Sequence, residues 1–254
     1  MKRKIAGIIR NLARKLNLEI SWREKRIEGE RYVWNAVYDT AVWAPWLTPE
    51  FEEIYQDIRH ATVVSPDRCY VIRQLAQQAL SLPGEFAECG VFKGGTARMT
   101  ARLLSERRAD KRLHLFDSFA GMPDSSDFQR DAHAPGDFGD TSLAAVKKVI
   151  EPYQAVCEFH PGFLPGTFAG LEQTAFAFVY LDLDIYPSTR DALAFFYERL
   201  VPGGIIVGDD YAFSNYRLAA RAAFDEFFAT RPEMVLSLVS GQCVVHKLPA
   251  SSPS

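Results

Sequence analysis

Two short acidic pairs carry the strongest chemical signal in the chain. Asp182 and Asp184 follow the apolar run Phe176–Leu181, and Asp209 and Asp210 follow Ile205–Val207 and a glycine. If both runs are neighbouring parallel strands, all four carboxylates meet at the carboxyl ends, where open α/β sheets place ligands. Four such charges repel strongly unless a cation sits among them. Neither segment holds a His or Cys, so the all-oxygen donor set points to Mg²⁺, with Mn²⁺ or Ca²⁺ as other hard cations. Helix capping is the simpler use of the same aspartates, with Asp182 then facing the sheet.

A second signal is Glu88-Cys-Gly-Val-Phe-Lys-Gly-Gly-Thr96, placed where a strand gives way to a helix. Gly90 lets the chain turn sharply with a ligand against its backbone, and Gly94–Gly95 open the next helix. The spacing is neither the dinucleotide fingerprint nor a phosphate-binding loop, since no Gly-Lys-Ser/Thr follows. Asp117 closes the run Leu113–Phe116, and an acid there can accept both hydroxyls of a ribose. An Asx turn or N-cap is its equally common structural use. Together the two features indicate a nucleoside-type cofactor without a pyrophosphate.

These residues need a scaffold that delivers them to one edge. Strand-like runs at 85–89, 113–116, 156–160, 176–181 and 205–207 alternate with helix-like runs at 96–104, 142–150, 188–200 and 216–229. Such alternation predicts a doubly wound α/β fold, a mostly parallel sheet with helices on both faces. Runs at 235–239 and 243–246, separated by Ser240-Gly241-Gln242, predict a closing antiparallel hairpin. Ser65-Pro66-Asp67 marks a helix start, running to about Leu80. The polar, Gly/Pro-rich stretch 120–141 is long enough to be a lid or substrate-binding loop. His133 within it is a candidate proton acceptor, although an exposed, solvated histidine is the expectation.

Composition narrows the class. The chain has 254 residues, 48% hydrophobic and 24% charged, which excludes disordered, collagen-like and coiled-coil proteins. Its four cysteines are scattered with no CxxC pair, so they read as buried apolar groups in a reducing, cytoplasmic setting. No apolar run approaches the roughly 18 residues of a membrane span. Charge is unevenly spread: residues 1–26 hold nine basic and two acidic residues, while the rest of the chain carries −10. Residues 4–18 read as a basic amphipathic helix, suited to packing within the protein or a homo-oligomer, or to peripheral contact with an anionic membrane. The acidic body argues against nucleic acid. The expected organisation is a basic N-terminal extension (1–30), a helical cap region (31–82), a catalytic domain (83–248) and a flexible tail (249–254).

The ordered set Thr62-Val-Val-Ser-Pro-Asp-Arg68, Glu88–Thr96, Phe116-Asp-Ser-Phe-Ala-Gly-Met-Pro123, Gly136-Asp-Phe138, Pro161-Gly-Phe163, Asp182–Tyr186 and Pro202-Gly-Gly with Asp209-Asp-Tyr211 resembles the macrocin O-methyltransferase (TylF/MycF-type) family. The resemblance covers roughly residues 50–248. It implies a class I methyltransferase fold, a seven-stranded sheet ending in an antiparallel hairpin, with S-adenosylmethionine as methyl donor and Mg²⁺ as essential ion. It implies further that Glu88 and Gly90 approach the methionine part of the cofactor and that Asp117 and Ser118 hold the ribose. Thr62, Val63, Gly95 and Thr96 complete the cofactor set. Asp184, Asp209 and Asp210 would bind the metal, with Asp184 also taking a proton from the hydroxyl of a small-molecule or glycan substrate. Family members usually carry Met at the position of Val63 and Trp at that of Phe163, so the pocket walls differ here.

Two other chemistries fit parts of the pattern. A Mg²⁺-dependent phenol or catechol O-methyltransferase would use the same parts, with the aromatic segment at 34–55 against the acceptor ring. A haloacid-dehalogenase-type phosphatase would use Asp182 as nucleophile. That reading lacks a Lys between Asp184 and Asp209 and leaves the glycine motif idle.

Overall fold

The computed structural model describes residues 25–27, 30–35, 40–124, 130–131 and 133–249. The chain divides into two compact units, residues 1–53 and 54–254. The first contains an antiparallel sheet of β1 (Lys25–Ile27), β2 (Glu30–Asn35) and β3 (Thr40–Trp43) in that order. This corrects the expected helical cap over 31–82, whose first part is strand. The cause is local: Tyr32-Val-Trp34 and Thr40-Ala-Val-Trp43 are rich in β-branched and aromatic residues, which fit a pleated surface better than a helix. Among the described residues, α-helix starts with α1 (Pro49–Ile58) and continues with α2 (Pro66–Ala79). The basic segment 4–18 and the tail from 250 lie outside the described residues. Among the described residues no helix is long and apolar enough to cross a membrane.

The second unit is the expected doubly wound layer. Its strands are β4 (Glu85–Cys89), β5 (Leu113–Asp117), β6 (Cys157–Pro161), β7 (Phe176–Leu181), β8 (Leu200–Gly208), β9 (Leu236–Ser237) and β10 (Cys243–His246). They stand in the order β6-β5-β4-β7-β8-β10-β9. The first five pair in parallel, and β10 pairs antiparallel with both β8 and β9. The helices α3 (Gly95–Glu106), α4 (Leu143–Ile150), α5 (Tyr186–Arg199) and α6 (Ala220–Phe228) lie between or after them. All six residues of β7 are buried, as a strand covered on both faces must be, so it reads as an unbroken apolar run. The edge strand β6 keeps polar, half-exposed positions instead.

One face of the sheet is sealed by aromatic rings. Phe196 of α5 meets Phe116, Phe168, Phe176 and Phe195 at centroid distances of 4.9–5.7 Å, each edge-on, the geometry that ring quadrupoles favour. Phe196 is fully buried, so Phe196→Ala leaves a cavity that its neighbours cannot close. The expected loss is about 3–5 kcal/mol, read as a lower urea midpoint at constant slope. A loss under 1 kcal/mol would mean that this face repacks freely.

Candidate active site

Strand order decides where the site lies. From β4 the chain moves outward to β5 and β6, then returns to β7 on the other side of β4. That reversal opens a crevice at the carboxyl ends of β4 and β7. The ladder continues one residue beyond the strands: Gly90 N donates to Phe116 O, Asp182 N to Cys89 O and Asp209 N to Leu181 O, each at 2.9 Å. The loops therefore leave the sheet in fixed register. Gly90, Asp117, Ser118, Asp182, Asp184, Asp209 and Asp210 line one cavity. Its volume is about 200 Å³, and it is flanked by Val63 and Phe163, 67% and 52% exposed.

Gly90 is the tightest point of the wall. Its φ is +86° and a Cβ there would fall 1.8 Å from the Asp182 carbonyl oxygen, so only glycine fits. The loop that follows is held by Asp117. Its Oδ2 accepts from Val91 N and Phe92 N at 2.7 and 2.9 Å, and Oδ1 accepts from Phe119 N at 2.6 Å. A carboxylate has about four acceptor sites, so a single further donor can reach Asp117 without breaking a bond. Ser118 Oγ donates to Gly121 O at 2.7 Å and accepts from Ala120 N at 3.1 Å, shaping the turn beside it.

Four of the sequence-expected cofactor residues do not line the cavity. Glu88 is buried behind the glycine loop, where its Oε1 accepts from Thr96 Oγ1 at 2.6 Å. Burial pushes its carboxyl up to about 8. Gly95 and Thr62 are a packing contact: Gly95 N donates to Ala61 O at 2.9 Å, and a Cβ on Gly95 would lie 2.7 Å from Thr62 Cβ. These residues support the wall from behind. Val63, Gly90, Asp117 and Ser118 form its surface.

The acidic end of the cavity sorts its four carboxylates into two roles. Asp182, Asp184 and Asp210 each offer an oxygen, all within 4.8 Å of one another. Asp209 instead pairs with the Arg68 guanidinium and accepts from Gln242 Nε2 at 2.8 Å. Of the expected trio, Asp184 and Asp210 converge with Asp182, while Asp209 turns to Arg68 and Gln242. Burial holds all four carboxyls above their ordinary range, Asp210 up to about 8. Asp210 Oδ2 is buried with no hydrogen-bond partner. Asp184 sits at φ +60°, a conformation rare outside glycine and concentrated at functional sites.

His133 is not the exposed histidine expected. Its side chain is 18% exposed, its Nε2 lies 2.8 Å from Tyr216 Oη and 3.7 Å from Asp184 Oδ1, and its Nδ1 lies 3.3 Å from Asp137. The 120–141 loop thereby touches the acidic cluster. Tyr216, Arg68 and Gln242 were missed as site residues. Arg68 carried a signal, as the last residue of the Thr62–Arg68 motif; Tyr216 and Gln242 carried none.

The strand order β6-β5-β4-β7-β8-β10-β9, with a glycine turn after β4 and an acid at the end of β5, is that of a class I methyltransferase fold. Residues 60–238 match the family described as Macrocin-O-methyltransferase (TylF), and the chain belongs to that family. It is 29% identical over 214 residues to the mycinamicin III 3''-O-methyltransferase of Micromonospora griseorubida, covering 75% of this chain and 84% of that protein. It is 33% identical over 146 residues to 8-demethyl-8-(2,3-dimethoxy-alpha-L-rhamnosyl)-tetracenomycin-C 4'-O-methyltransferase of Streptomyces olivaceus, covering 54% of this chain and 56% of that protein. The solved O-methyltransferase NovP superposes with a TM-score of 0.68 at 23% identity, over 74% of this chain and 83% of that one. Membership sets the phosphatase reading aside.

The crowded carboxylates fix a pH response. Folded protein keeps the Asp210 proton to about pH 8, whereas an unfolded aspartate releases it near pH 3.9. The Asp210 contribution to metal-free stability is therefore full below about pH 4 and falls as pH rises through that window. Asp210→Asn removes the Asp210 share of this fall, leaving that of Asp182, Asp184 and Asp209, and raises the thermal midpoint at pH 8 by roughly 2–4 °C per kcal/mol relieved. Thermal melts in chelator across the window check it. A midpoint unchanged by the substitution at pH 8 would refute the crowding.

Proposed function

We propose that this chain is an S-adenosylmethionine-dependent O-methyltransferase that methylates a hydroxyl of a sugar moiety, on a natural product or a cell-envelope glycan, with Mg²⁺ assistance. One observation carries the reading: a single cavity joins the Gly90–Asp117 wall to a buried, under-neutralised carboxylate cluster. The donor set fits a hard cation, because its oxygens converge, one of them lacks any partner, and burial alone would otherwise keep protons on them. The tetracenomycin relative is named for a substrate bearing a rhamnosyl group, which favours a sugar over a phenol.

S-adenosylmethionine, when bound, supplies a methyl group on a sulfonium centre, and a divalent cation held by Asp182, Asp184 and Asp210 supplies the charge that acidifies and positions a hydroxyl. Asp209 stands behind that trio and holds Arg68. Val63, Gly90, Asp117 and Ser118 form the cofactor wall, with Asp117 Oδ1 accepting one ribose hydroxyl. Asp184 is the proton acceptor, since its Oδ1 faces the cavity beside His133 Nε2, and Tyr216 Oη keeps that imidazole in place. Phe92, Met122, Phe138 and Phe163 exclude water. The chain's own contribution is orientation and fixed charge rather than covalent chemistry.

Calorimetric titration with S-adenosylmethionine and with S-adenosylhomocysteine, each with and without Mg²⁺, tests the reading. Micromolar binding and a separate Mg²⁺ isotherm that disappears in Asp210→Asn are expected, and no binding under any condition would overturn it. Asp184→Asn should lower methyl transfer to a deoxysugar glycoside by roughly 10²–10⁴-fold, the range for loss of a general base. Turnover unchanged at saturating Mg²⁺ would take Asp184 out of the reaction.

A further inference from the structure

Among the described residues a second group of metal-type side chains lies away from the acidic cluster: His114, Glu158 and His160. Strand register creates it. In the parallel pair of β5 and β6, His114 stands opposite Glu158 and Phe116 opposite His160, and alternation sends all four side chains to one face. His114 Nδ1 lies 2.9 Å from His160 Nε2. Glu158 Oε2 lies 3.9 Å from His114 Nδ1 and its Oε1 4.0 Å from His160 Nε2, and one ligand atom from each of the three residues lies within 4.8 Å of the others.

We propose that His114, Glu158 and His160 form a second metal site, for a transition-metal dication of the zinc type, distinct from the oxygen cluster of the cavity. A tetrahedral ion with bonds of about 2.1 Å separates its donors by roughly 3.4 Å, and the spacings of 2.9, 3.9 and 4.0 Å lie on either side of that distance. Two imidazoles and one carboxylate suit Zn²⁺ and its neighbours and not Mg²⁺. The rings are held before any ion arrives. His160 stacks on Phe116 at 4.5 Å and on His114 at 5.2 Å, and His114 meets Phe176 edge-on at 5.6 Å. Burial keeps both imidazoles below their ordinary pKa, His114 at about 4, so both are neutral and ligand-competent at pH 7. Arg112, the cation beside His114, is engaged with the Ala155 carbonyl at 2.7 Å. Glu158 is 53% exposed and gives an ion its path from solvent. Binding needs no net proton release from the histidines: the ring that donates across the 2.9 Å contact moves its proton to its other nitrogen, which leaves both facing lone pairs for the metal.

Metal-stripped full-length protein titrated with Co²⁺, followed by visible ligand-field absorption and then by Zn²⁺ displacement, tests this. The wild type should give a saturable band that Zn²⁺ removes, and Zn²⁺ should raise its thermal midpoint. His160→Gln and Glu158→Gln should each weaken binding by at least the roughly 100-fold that loss of an outer-shell partner reaches. Asp210→Asn should leave the band intact. Absence of a saturable band in the wild type, wild-type affinity in Glu158→Gln, or loss of the band in Asp210→Asn would each overturn the proposal. Glu158 is a half-exposed carboxylate, so its variant reads out the site even if His160→Gln disturbs the ring stack.

Discussion

Four aspartates gathered at the ends of two adjacent strands, three of them buried, are the constraint around which the rest of this structure is arranged. Two unit charges about 4 Å apart repel by roughly 4 kcal/mol at an effective dielectric of 20, and three such contacts would exceed much of a domain's net stability. The fold relieves part of this. Arg68 and Gln242 engage Asp209, Tyr180 Oη donates to Asp182 at 3.0 Å, and His133 and Tyr216 stand over Asp184. These partners come from α2, the β9–β10 turn, β7, the 120–141 loop and the segment before α6. One short stretch of charge thus dictates contacts across most of the second unit.

The relief is incomplete in a particular place. Asp209, joined to a guanidinium and an amide, has a structural solution already. Asp182, Asp184 and Asp210 face the cavity without a cation of their own, and Asp210 Oδ2 has no partner. A structure optimised only for stability would replace such a group with apolar residues. Its persistence at the switch point of the sheet, next to a glycine turn that admits a ligand to the backbone, is the physical argument for a cation and a substrate there. Asp184 in a left-handed conformation belongs to the same pattern, strain kept where chemistry needs an atom in one position.

The strands and helices of the second unit were legible because burial on both faces of a parallel sheet leaves unbroken apolar runs. The run Phe176–Leu181 coincides with β7, and Glu85–Cys89 with β4. The pattern weakens in 30–43, where β-branched and aromatic residues suit strand and no long-range partner is visible from sequence. Site residues divide in the same way. Position after a strand revealed all four aspartates, but not which of Asp209 and Asp210 would turn to Arg68, since neighbours at a strand end point to opposite sides. Glu88 and Thr96 belonged to a motif whose spacing is fixed by packing as much as by ligand contact. Gln242 arrives through the hairpin, thirty-three residues from its partner Asp209, and no local pattern marks it.

The same sheet geometry explains why chemistry collects at more than one place. At the carboxyl ends, loops are free to bring carboxylates together, and hard oxygen donors result. Along the body of β5 and β6, side chains are fixed by register, so a cluster there must come from residues two apart on each strand, as His114 with Phe116 and Glu158 with His160 do. β6 is an edge strand, and an edge tolerates polar side chains that a central strand such as β7 cannot. His160 and Glu158 therefore stand on the parallel edge strand and His114 on its neighbour β5, with aromatic rings packed over the imidazoles and a carboxylate open to water. A donor set of this kind requires no further loop, only the pairing that the fold already enforces.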